Sequence, residues 1–315
     1  MKGREDPWIT VVVTAWREAP WLGQCLQALA AQRFRPFEVL VVWNEGPDGW
    51  RPPPGLPFPL RIHRNPHNVG FAAAVNQGLR MARGRYLAVL NDDAFPEPGW
   101  LEALEAAMGE EAIGACASLM VFHHRPGIVQ SAGIAIDRAA IAWDRWRGRP
   151  VAEALQPGEV FGACAGAALY RRALLETVGG FDERFFAYLE DVDLAWRAQT
   201  AGWRCVYVPE ARVRHRTSAA FQEGSPRKQR LLGRNKVWLV IKNAPLEDWP
   251  LILAYDLMAV LYAWIWRRDP NPLRGRLEGW RGIKPFLADR RPGRPRCFEP
   301  LVPPWQVPAR FAQWL

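Results

Sequence analysis

Short apolar, β-forming runs alternate with helical patterns through the first half of the chain. Ile9–Thr14, Val39–Trp43 and Tyr86–Leu90 have the length and composition of strands that are buried on both faces. Between them, residues 21–31 and 71–82 carry apolar side chains at helical spacing. Because a strand, helix, strand order is typical of βαβ units, we predict an α/β fold with a Rossmann-like, mostly parallel sheet.

The pattern changes after Ile113, where the apolar runs become shorter. Short runs of this kind indicate a mixed region beside the parallel strands. One further strand is predicted before this change, at 60–63. After it, the predicted elements are strands at 134–136, 167–170, 205–208 and 213–215, and helices at 172–178 and from about 192 to 201.

Beyond Pro226 the chain is basic and helical, and the run Leu251–Trp266 is strongly apolar. That run is short for a helix that crosses a bilayer, and it contains Asp256. Its flanking tryptophan and arginine residues are typical of a helix in the membrane interface. After it comes a segment rich in proline, arginine and tryptophan, which we expect to wrap over the domain as an extended tail.

These patterns predict two regions. We expect one α/β domain over 1–220, which divides at about residue 118, where the pattern changes. A basic and apolar helical extension and tail should cover 221–315.

The net charge of +9 indicates an anionic partner, and the basic excess lies mainly in the C-terminal third. The basic residues are not interleaved with aromatic ones in a known nucleic-acid-binding module, so we expect no nucleic acid partner. The start, MKGREDPWITVVV, lacks the apolar core of a signal peptide. We therefore expect a cytoplasmic location, with the inner face of the membrane as one site of contact.

Polar clusters follow three of the predicted parallel strands, at Thr14–Glu18, Asn44–Asp48 and Asn91–Asp93. Ligands of open parallel sheets bind beyond the carboxyl ends of the strands, so the three clusters should face one crevice. A carboxylate such as Asp93 at this edge can bind a hard divalent cation together with diphosphate oxygens. Asp and Asn also cap helices and fill turns, and the residues alone leave both interpretations open.

Acidic and basic side chains later in the chain offer further chemistry. Glu190, Asp191 and Asp193 lie beside aromatic residues, where apolar walls and like charges raise carboxylate pKa values and favour a general base. Helix capping explains the same acids structurally. His215 is either structural or a second metal ligand opposite Asp93. Arg234 belongs to a basic helical face that is either solvated or binds diphosphate.

Four segments give these residues a joint pattern. In chain order they are VVVTAWREAPWLGQCLQALAAQ, EVLVVWNEGPDG, NPHNVGFAAAVNQGLRMARGRYLAVLNDDAFPEPGWL and GGFDERFFAYLEDVDLAWRAQTAGWRCVYVPEARVRH. With them the chain resembles family 2 glycosyltransferases of the GT-A fold, especially the bacterial rhamnosyltransferase-like branch, over roughly residues 8 to 240.

The resemblance implies that residues 1–220 form the glycosyltransferase domain, with a nucleotide-binding half at about 8–118 and an acceptor half at about 119–220. It also implies a role for each matching residue. The nucleotide site would comprise Thr14, Ala15, Glu18, Asn44 to Asp48, Asn68, Gly70, Asp92 and, from the basic helix, Arg234. Asp93 would hold Mg²⁺ or Mn²⁺, Asp191 would act as catalytic base, and Glu190 would support the acceptor site.

Two positions depart from the family pattern. Ala15 and Trp16 replace the usual Tyr and Asn at the end of the first strand, and Trp43 stands where an Asp usually contacts the base. Trp43 either stacks on the nucleobase or packs in the core.

We therefore predict an inverting glycosyltransferase that uses a nucleotide diphosphate sugar and a saccharide or lipid-linked acceptor. It would act in the synthesis of a cell-surface polysaccharide or glycolipid. A sugar nucleotidyltransferase is the alternative enzyme, although TAWREAPWLG lacks the glycine-rich basic loop of that class. A basic, membrane-associated binding protein is the alternative without catalysis.

Overall fold

A ten-stranded mixed sheet lies at the centre of the computed structural model, which describes residues 8–216 and 225–303. Its strands run in the order β10-β12-β6-β11-β4-β1-β2-β3, with β5 paired to β12 and β7 paired to β6. The strands are β1 (Ile9–Trp16), β2 (Phe37–Asn44), β3 (Leu60–Asn65), β4 (Tyr86–Asn91), β5 (Ala94–Pro96), β6 (Ile113–Phe122), β7 (Arg125–Ser131), β10 (Gly158–Val160), β11 (Ala167–Arg171) and β12 (Arg204–His215). A separate hairpin pairs β8 (Ile134–Ile136) with β9 (Ala142–Asp144).

The strands β3, β2, β1 and β4 are parallel neighbours, as the alternating pattern predicted. Every residue of β2 is buried, which explains why its sequence reads as a continuous apolar run rather than an alternating one. Because these strands share a direction, Asn44 and Asn91 end beside the last residues of β1 at one edge of the sheet.

The second half of the sheet is mixed, as predicted. β11 lies antiparallel between β4 and β6, while β12 runs parallel to β6. The two strands predicted at 205–208 and 213–215 are one strand, because β12 keeps its pairing with β6 across an irregularity between Val208 and Arg212. The division expected near residue 118 falls inside β6, so the two halves share a strand. The boundary expected at residue 220 lies outside the described residues.

Helices cover the sheet and extend the C-terminal region. They are α1 (Leu22–Ala30), α2 (Phe71–Met81), α3 (Trp100–Ala106), α4 (Arg172–Val178), α5 (Glu190–Thr200), α6 (Pro226–Asn243), α7 (Trp249–Ile265), α8 (Asn271–Arg281) and α9 (Lys284–Ala288), with 3₁₀ turns at Val151–Ala154, Glu183–Phe185 and Leu246–Asp248. α5 begins two residues before the predicted start, because the amide of Asp193 donates to the carbonyl of Leu189 and closes a first turn that includes both acids.

A buried ionic network joins α5 to α6. Asp193 is fully buried and accepts hydrogen bonds from Arg197, Lys242 and Asn243. A buried carboxylate without partners would be costly, so these three donors fix the packing of the two helices. The sequence left a structural and a catalytic role open for Asp193, and these contacts agree with the structural role.

Residues 289–303 run without regular structure and contact α5. Trp196 donates to the carbonyl of Gly293, and the amides of Arg296 and Cys297 donate to Gln199. The predicted tail is therefore present in this segment, while residues 304–315 lie outside the described part.

The apolar run of the C-terminal region is helix α7. Within the described residues, Leu246–Ile265 is the one helical segment long and apolar enough to cross a membrane, and 28% of it is buried. Its exposed residues include Leu253, Leu257 and Leu261.

Candidate active site

A crevice of about 360 Å³ opens at the carboxyl ends of β1, β2 and β4. Most of the residues predicted for a site line it: Thr14, Ala15, Asn44, Asn68, Gly70, Asp92, Asp93, Glu190, Asp191 and His215. The ends of the parallel strands supply one part of its lining, and the start of α5 and the β8–β9 hairpin supply another. The sheet edge and the acidic helix start therefore meet in one place.

Glu18, Arg234 and the residues that follow Asn44 in the predicted range 44–48 do not line this crevice. Glu18 and Asp48 are exposed, beyond the strand ends. Arg234 packs its guanidinium over the ring of Trp238, at 4.3 Å, and donates to the carbonyl of Phe185. Arg234 therefore binds the loop that contains Phe185 and does not line the crevice, where it was predicted to bind diphosphate.

Asparagine side chains organise the edge of the crevice where the sequence predicts nucleotide binding, hereafter the nucleotide edge. Asn65 donates to Asn44 Oδ1 at 2.9 Å, and Asn44 donates to Asn68 Oδ1 at 3.3 Å. Asn68 also accepts from the amide of Gly70 at 2.9 Å. Gly70 has a φ of 91°, and a Cβ here would lie 2.6 Å from the ring of Phe186, so the position requires glycine.

Asp93 and His215 form the deepest polar pair of the crevice. Asp93 Oδ1 and His215 Nε2 are 3.0 Å apart, and both side chains are buried. The other ring nitrogen, Nδ1, lies 3.0 Å from Gln130 Oε1, and in the tautomer that donates an Nδ1–H to this oxygen Nε2 presents a lone pair towards Asp93. Two acceptor atoms held this close need a shared proton or a cation between them.

The donor set of this pair suits a divalent cation. Two ligand atoms each about 2.1 Å from an ion and at right angles to one another are separated by about 3.0 Å. In the described part of the chain, no group of three or more His, Cys, Asp and Glu side chains is placed to hold an ion by itself. An ion at Asp93 and His215 would therefore need further ligands, such as the oxygens of a diphosphate.

Asp92 adds negative charge beside this pair. Burial, together with the neighbouring charge of Asp93, raises the pKa of Asp92 to about 7. Burial and the charge of Asp93 both disfavour the ionised form of Asp92, and a bound cation would favour that form.

Asp191 is held in a fixed orientation at the first turn of α5. Its Oδ1 accepts from the amide of Val192 at 2.9 Å, and its Oδ2 accepts from the amide of Ala165 at 3.2 Å. Removal from solvent raises the pKa of Asp191 to about 6, and the nearby charge of Asp144 acts in the same direction. A carboxylate that titrates in this range is suited to accept a proton near neutral pH.

Glu190 lies beside Asp191 and is 6% exposed. Burial, and then the charge of Asp191, raises the pKa of Glu190 well above its usual value. Among the described residues, nothing is placed to form a hydrogen bond with the buried Oε2 of Glu190. A buried polar atom without a partner is uncommon in folded proteins, and this one belongs to a residue that lines the crevice.

Several crevice residues were absent from the sequence prediction. Asp144 and Arg147, which are 3.7 Å apart, belong to the β8–β9 region, and Lys228 reaches the crevice from α6. The basic stretch around α6 predicted that a positively charged side chain would enter the site. Its spacing did not show which face points inward, because residues 228 and 234 differ by about 120° around a helix.

The loop before α5 has an unusual backbone. Phe186, Tyr188 and Leu189 have φ angles of 67°, 72° and 64°, in the left-handed region that such side chains rarely adopt. Strain of this kind costs about 1–3 kcal/mol per residue and persists only where the surroundings enforce it.

Asn235 of α6 enforces this loop. Its fully buried side-chain amide lies 3.0, 2.8 and 2.7 Å from the carbonyl oxygens of Phe185, Ala187 and Tyr188. At the other side of the loop, the carbonyl of Phe186 accepts from the amides of Phe71 and Ala72 at the start of α2. The loop therefore connects the nucleotide edge, the acids of α5 and the C-terminal helix α6.

Trp16 and Trp43, the two tryptophans that replace the usual residues of the family pattern, have different surroundings. Trp43 is fully buried and donates to the carbonyl of Arg17 at 2.7 Å, so of the two interpretations it packs in the core. Trp16 lines the crevice, and its Nε1 donates to Glu45 at 2.6 Å.

The sequence model of "Glycosyl transferase family 2" matches residues 10–179 of this chain. The chain belongs to glycosyltransferase family 2. The match covers Asp92 and Asp93 but ends before Glu190, so the assignment of the α5 acids depends on the crevice geometry and on the pattern of residues around them.

One similar protein is the N-acetylglucosaminyl-diphospho-decaprenol L-rhamnosyltransferase of Mycobacterium tuberculosis. It is 31% identical over 236 residues, which cover 66% of this chain and 75% of that protein. This glycosyltransferase thus has a rhamnosyltransferase among its relatives, as the resemblance to that branch indicated.

Solved glycosyltransferase structures share the fold. The structure of GalNAc-T7 with UDP, GalNAc and Mn²⁺ has a TM-score of 0.61 at 16% identity, over 81% of this chain and 51% of that one. The mannosyltransferase PcManGT of Pyrobaculum calidifontis, in complex with GDP-Man and Mn²⁺, has a TM-score of 0.53 at 18% identity, over 98% of this chain and 80% of that one. The predicted GT-A fold is confirmed.

Replacing Asn235 with Ala tests the clamp on the loop. We expect Asn235→Ala to lower the free energy of unfolding by about 2–3 kcal/mol, because buried carbonyl oxygens lose their donor. Turnover should fall at least tenfold, because the loop that positions Asp191 relaxes. Urea denaturation and steady-state kinetics measure the two effects.

Asn76→Ala is the matched control for this variant. Asn76 is also buried and donates to a loop carbonyl, that of Phe181, but it does not line the crevice. It should lose similar stability and retain turnover. Equal loss of turnover in both variants would show that Asn235 contributes only to stability.

Proposed function

We propose that this chain transfers a sugar from a nucleotide diphosphate sugar to an acceptor hydroxyl in one displacement that inverts the anomeric carbon. The observation that carries the proposal is the composition of the crevice. The buried pair of Asp93 and His215 lies on the sheet side, and the fixed carboxylate of Asp191 lies on the α5 side. Membership of a glycosyltransferase family favours this reaction over nucleotidyl transfer.

The donor would lie along the carboxyl ends of the parallel strands. Thr14, Ala15 and Asn44 would contact the nucleoside, with Asn68 and Gly70 shaping that edge. Asp93 and His215 would hold Mg²⁺ or Mn²⁺, which neutralises charge on a departing diphosphate when bound. The Mn²⁺ in the structures of GalNAc-T7 and PcManGT supports this assignment.

Asp191 would act as the base. As it takes the proton of the acceptor hydroxyl, the oxygen forms a bond to the anomeric carbon, and the bond from that carbon to the diphosphate oxygen breaks. The electron pair of the broken bond leaves on the diphosphate. Glu190, which lines the crevice beside Asp191, would bind a hydroxyl of the acceptor and orient it.

We propose a lipid-linked acceptor, used at the cytoplasmic face of a membrane. The name of the M. tuberculosis relative describes an acceptor in which a sugar is joined through diphosphate to decaprenol. The exposed apolar face of α7, followed by Arg267 and Arg268, is suited to a bilayer with anionic lipids. In this proposal the domain over residues 1–220 carries the groups that act on donor and acceptor, and α7 of the C-terminal extension, 221–315, contacts the bilayer.

Asp191→Asn tests the assignment of the base. The amide has nearly the same shape as the carboxylate but accepts no proton, so we expect turnover to fall by about 10²–10⁴ while donor affinity changes less than threefold. In the parent enzyme, turnover should also decline as the pH falls below about 6, where Asp191 becomes protonated. This limb of the pH profile should be absent from Asp191→Asn.

Asp289→Asn provides the control, since it makes the same change at an exposed carboxylate outside the crevice. Near-normal turnover of Asp191→Asn, with the low-pH limb intact, would assign the base to another residue.

Asp93→Ala tests the cation site. A thermal-shift screen of UDP-, dTDP- and GDP-sugars first identifies a donor, because a ligand that binds the folded state raises its apparent stability. Calorimetry with this donor, in Mn²⁺ and in EDTA, should show tighter binding with the metal for the parent chain and no such gain for Asp93→Ala. A full metal effect in the variant would contradict the assignment.

A further inference from the structure

A second cavity, of about 430 Å³, lies among α6, α7, α8 and the turn before β9. Ala142, Leu189 and Leu232 border both this cavity and the crevice. Because Leu189 directly precedes Glu190, the inner end of the cavity lies beside the acids of α5. The family match ends at residue 179, so the C-terminal walls of this cavity lie outside the matched region.

The cavity combines apolar walls with an excess of positive charge. Its α7 wall presents Tyr255, Ala259 and Ala263. Four cationic side chains line it against two carboxylates, namely Lys236, Arg267, Arg268 and Arg276 against Asp256 and Asp269.

The carboxylates of this cavity are already engaged. Asp256 forms a two-point ion pair with Arg276, and Asp269 accepts from the backbone and side chain of Asn271. Lys236 donates to the carbonyl oxygens of Ala139 and Ala140, and burial lowers its pKa to about 8. In the described ranges, Lys236, Arg267 and Arg268 form no ion pair with a carboxylate, so their charges are available to an anionic ligand.

The outer face of α7 carries an apolar stripe. Leu253, Leu257, Leu261 and Trp264 recur every three or four residues, and each is between 44% and 59% exposed. The opposite face, with Ile252 and Tyr255, packs on the protein. A helix of 17 residues is about 25 Å long, so the stripe can lie along a bilayer surface while the other face borders the cavity.

We infer that this cavity binds the phosphate head group of a long-chain lipid acceptor, drawn from the bilayer on which α7 lies. Arg267, Arg268 and Lys236 would bind the phosphate oxygens, and the chain would leave past the α7 wall into the membrane. The sugar on the head group would pass Ala142 and Leu232 to reach Asp191. This inference rests on the proposed transfer reaction and specifies where its lipid-linked acceptor binds.

Farnesyl diphosphate is a soluble probe of this site. In calorimetry with EDTA, which removes cations that would bridge a diphosphate to Asp93, we expect the full chain to bind farnesyl diphosphate at least tenfold more tightly than inorganic pyrophosphate. The double variant Arg267→Gln/Arg268→Gln should weaken the binding of farnesyl diphosphate at least tenfold. Ala263→Phe, which fills the apolar wall, should weaken it without changing the affinity for pyrophosphate.

Arg281→Gln/Lys284→Gln is the matched control, because it removes the same charge from exposed positions outside the cavity. It should change the affinity less than twofold. Equal weakening by both double variants, or equal affinity for pyrophosphate and farnesyl diphosphate, would overturn the inference. Unchanged melting temperatures of the free variants exclude unfolding as the cause of weaker binding.

Vesicles of phosphatidylcholine and phosphatidylglycerol test the α7 surface. Leu257→Glu should abolish co-flotation with these vesicles, whereas Leu155→Glu, at an equally exposed leucine outside α7, should leave it unchanged. Flotation of Leu257→Glu at the parent level would overturn the membrane part of the inference.

Failure of the inference and failure of the proposed function give different results. Transfer to a soluble saccharide acceptor without any binding of farnesyl diphosphate would remove the lipid site and leave the reaction. Binding of farnesyl diphosphate by a chain that transfers no sugar from any of the screened donors would remove the reaction and leave the site.

Discussion

The hydrogen bonds from Asn235 to the loop before α5 are the contact on which the site depends. Three residues of that loop have left-handed backbone, which does not persist without external support. The same loop presents the carbonyl of Phe186 to the start of α2 and ends at Glu190 and Asp191. One buried side chain of the C-terminal region thus fixes the distance between the nucleotide edge and the acids.

The fold and one half of the site follow closely from local sequence. Buried parallel strands read as apolar runs, and their carboxyl ends must meet, so Asn44 and Asp93 were expected in one crevice and lie there. Glu18 and Asp48 belong to the same clusters but lie beyond the strand ends, where the turn rather than the sheet sets the direction of a side chain.

The other half of the site depends on tertiary packing. Helical spacing does not show how α6 is rotated, so Arg234 was expected in the crevice, whereas Lys228 is the residue that lines it. Asp144 follows a short run in a hairpin whose docking no local pattern predicts. Trp43, which stands in the place of a base-reading acid, fills the core instead and directs its Nε1 to a backbone carbonyl. Trp43 therefore does not line the crevice, and it offers no counterpart to the base contact that the resemblance implied at this position.

The central claim is that the acceptor oxygen attacks from the side of Asp191 while the diphosphate leaves on the side of Asp93. Proton NMR of the anomeric centre during the first turnovers tests it most directly, with the donor found by screening and a lipid-linked acceptor. A single displacement predicts a product whose anomeric configuration is opposite to that of the donor. A product that retains the configuration of the donor would contradict the account.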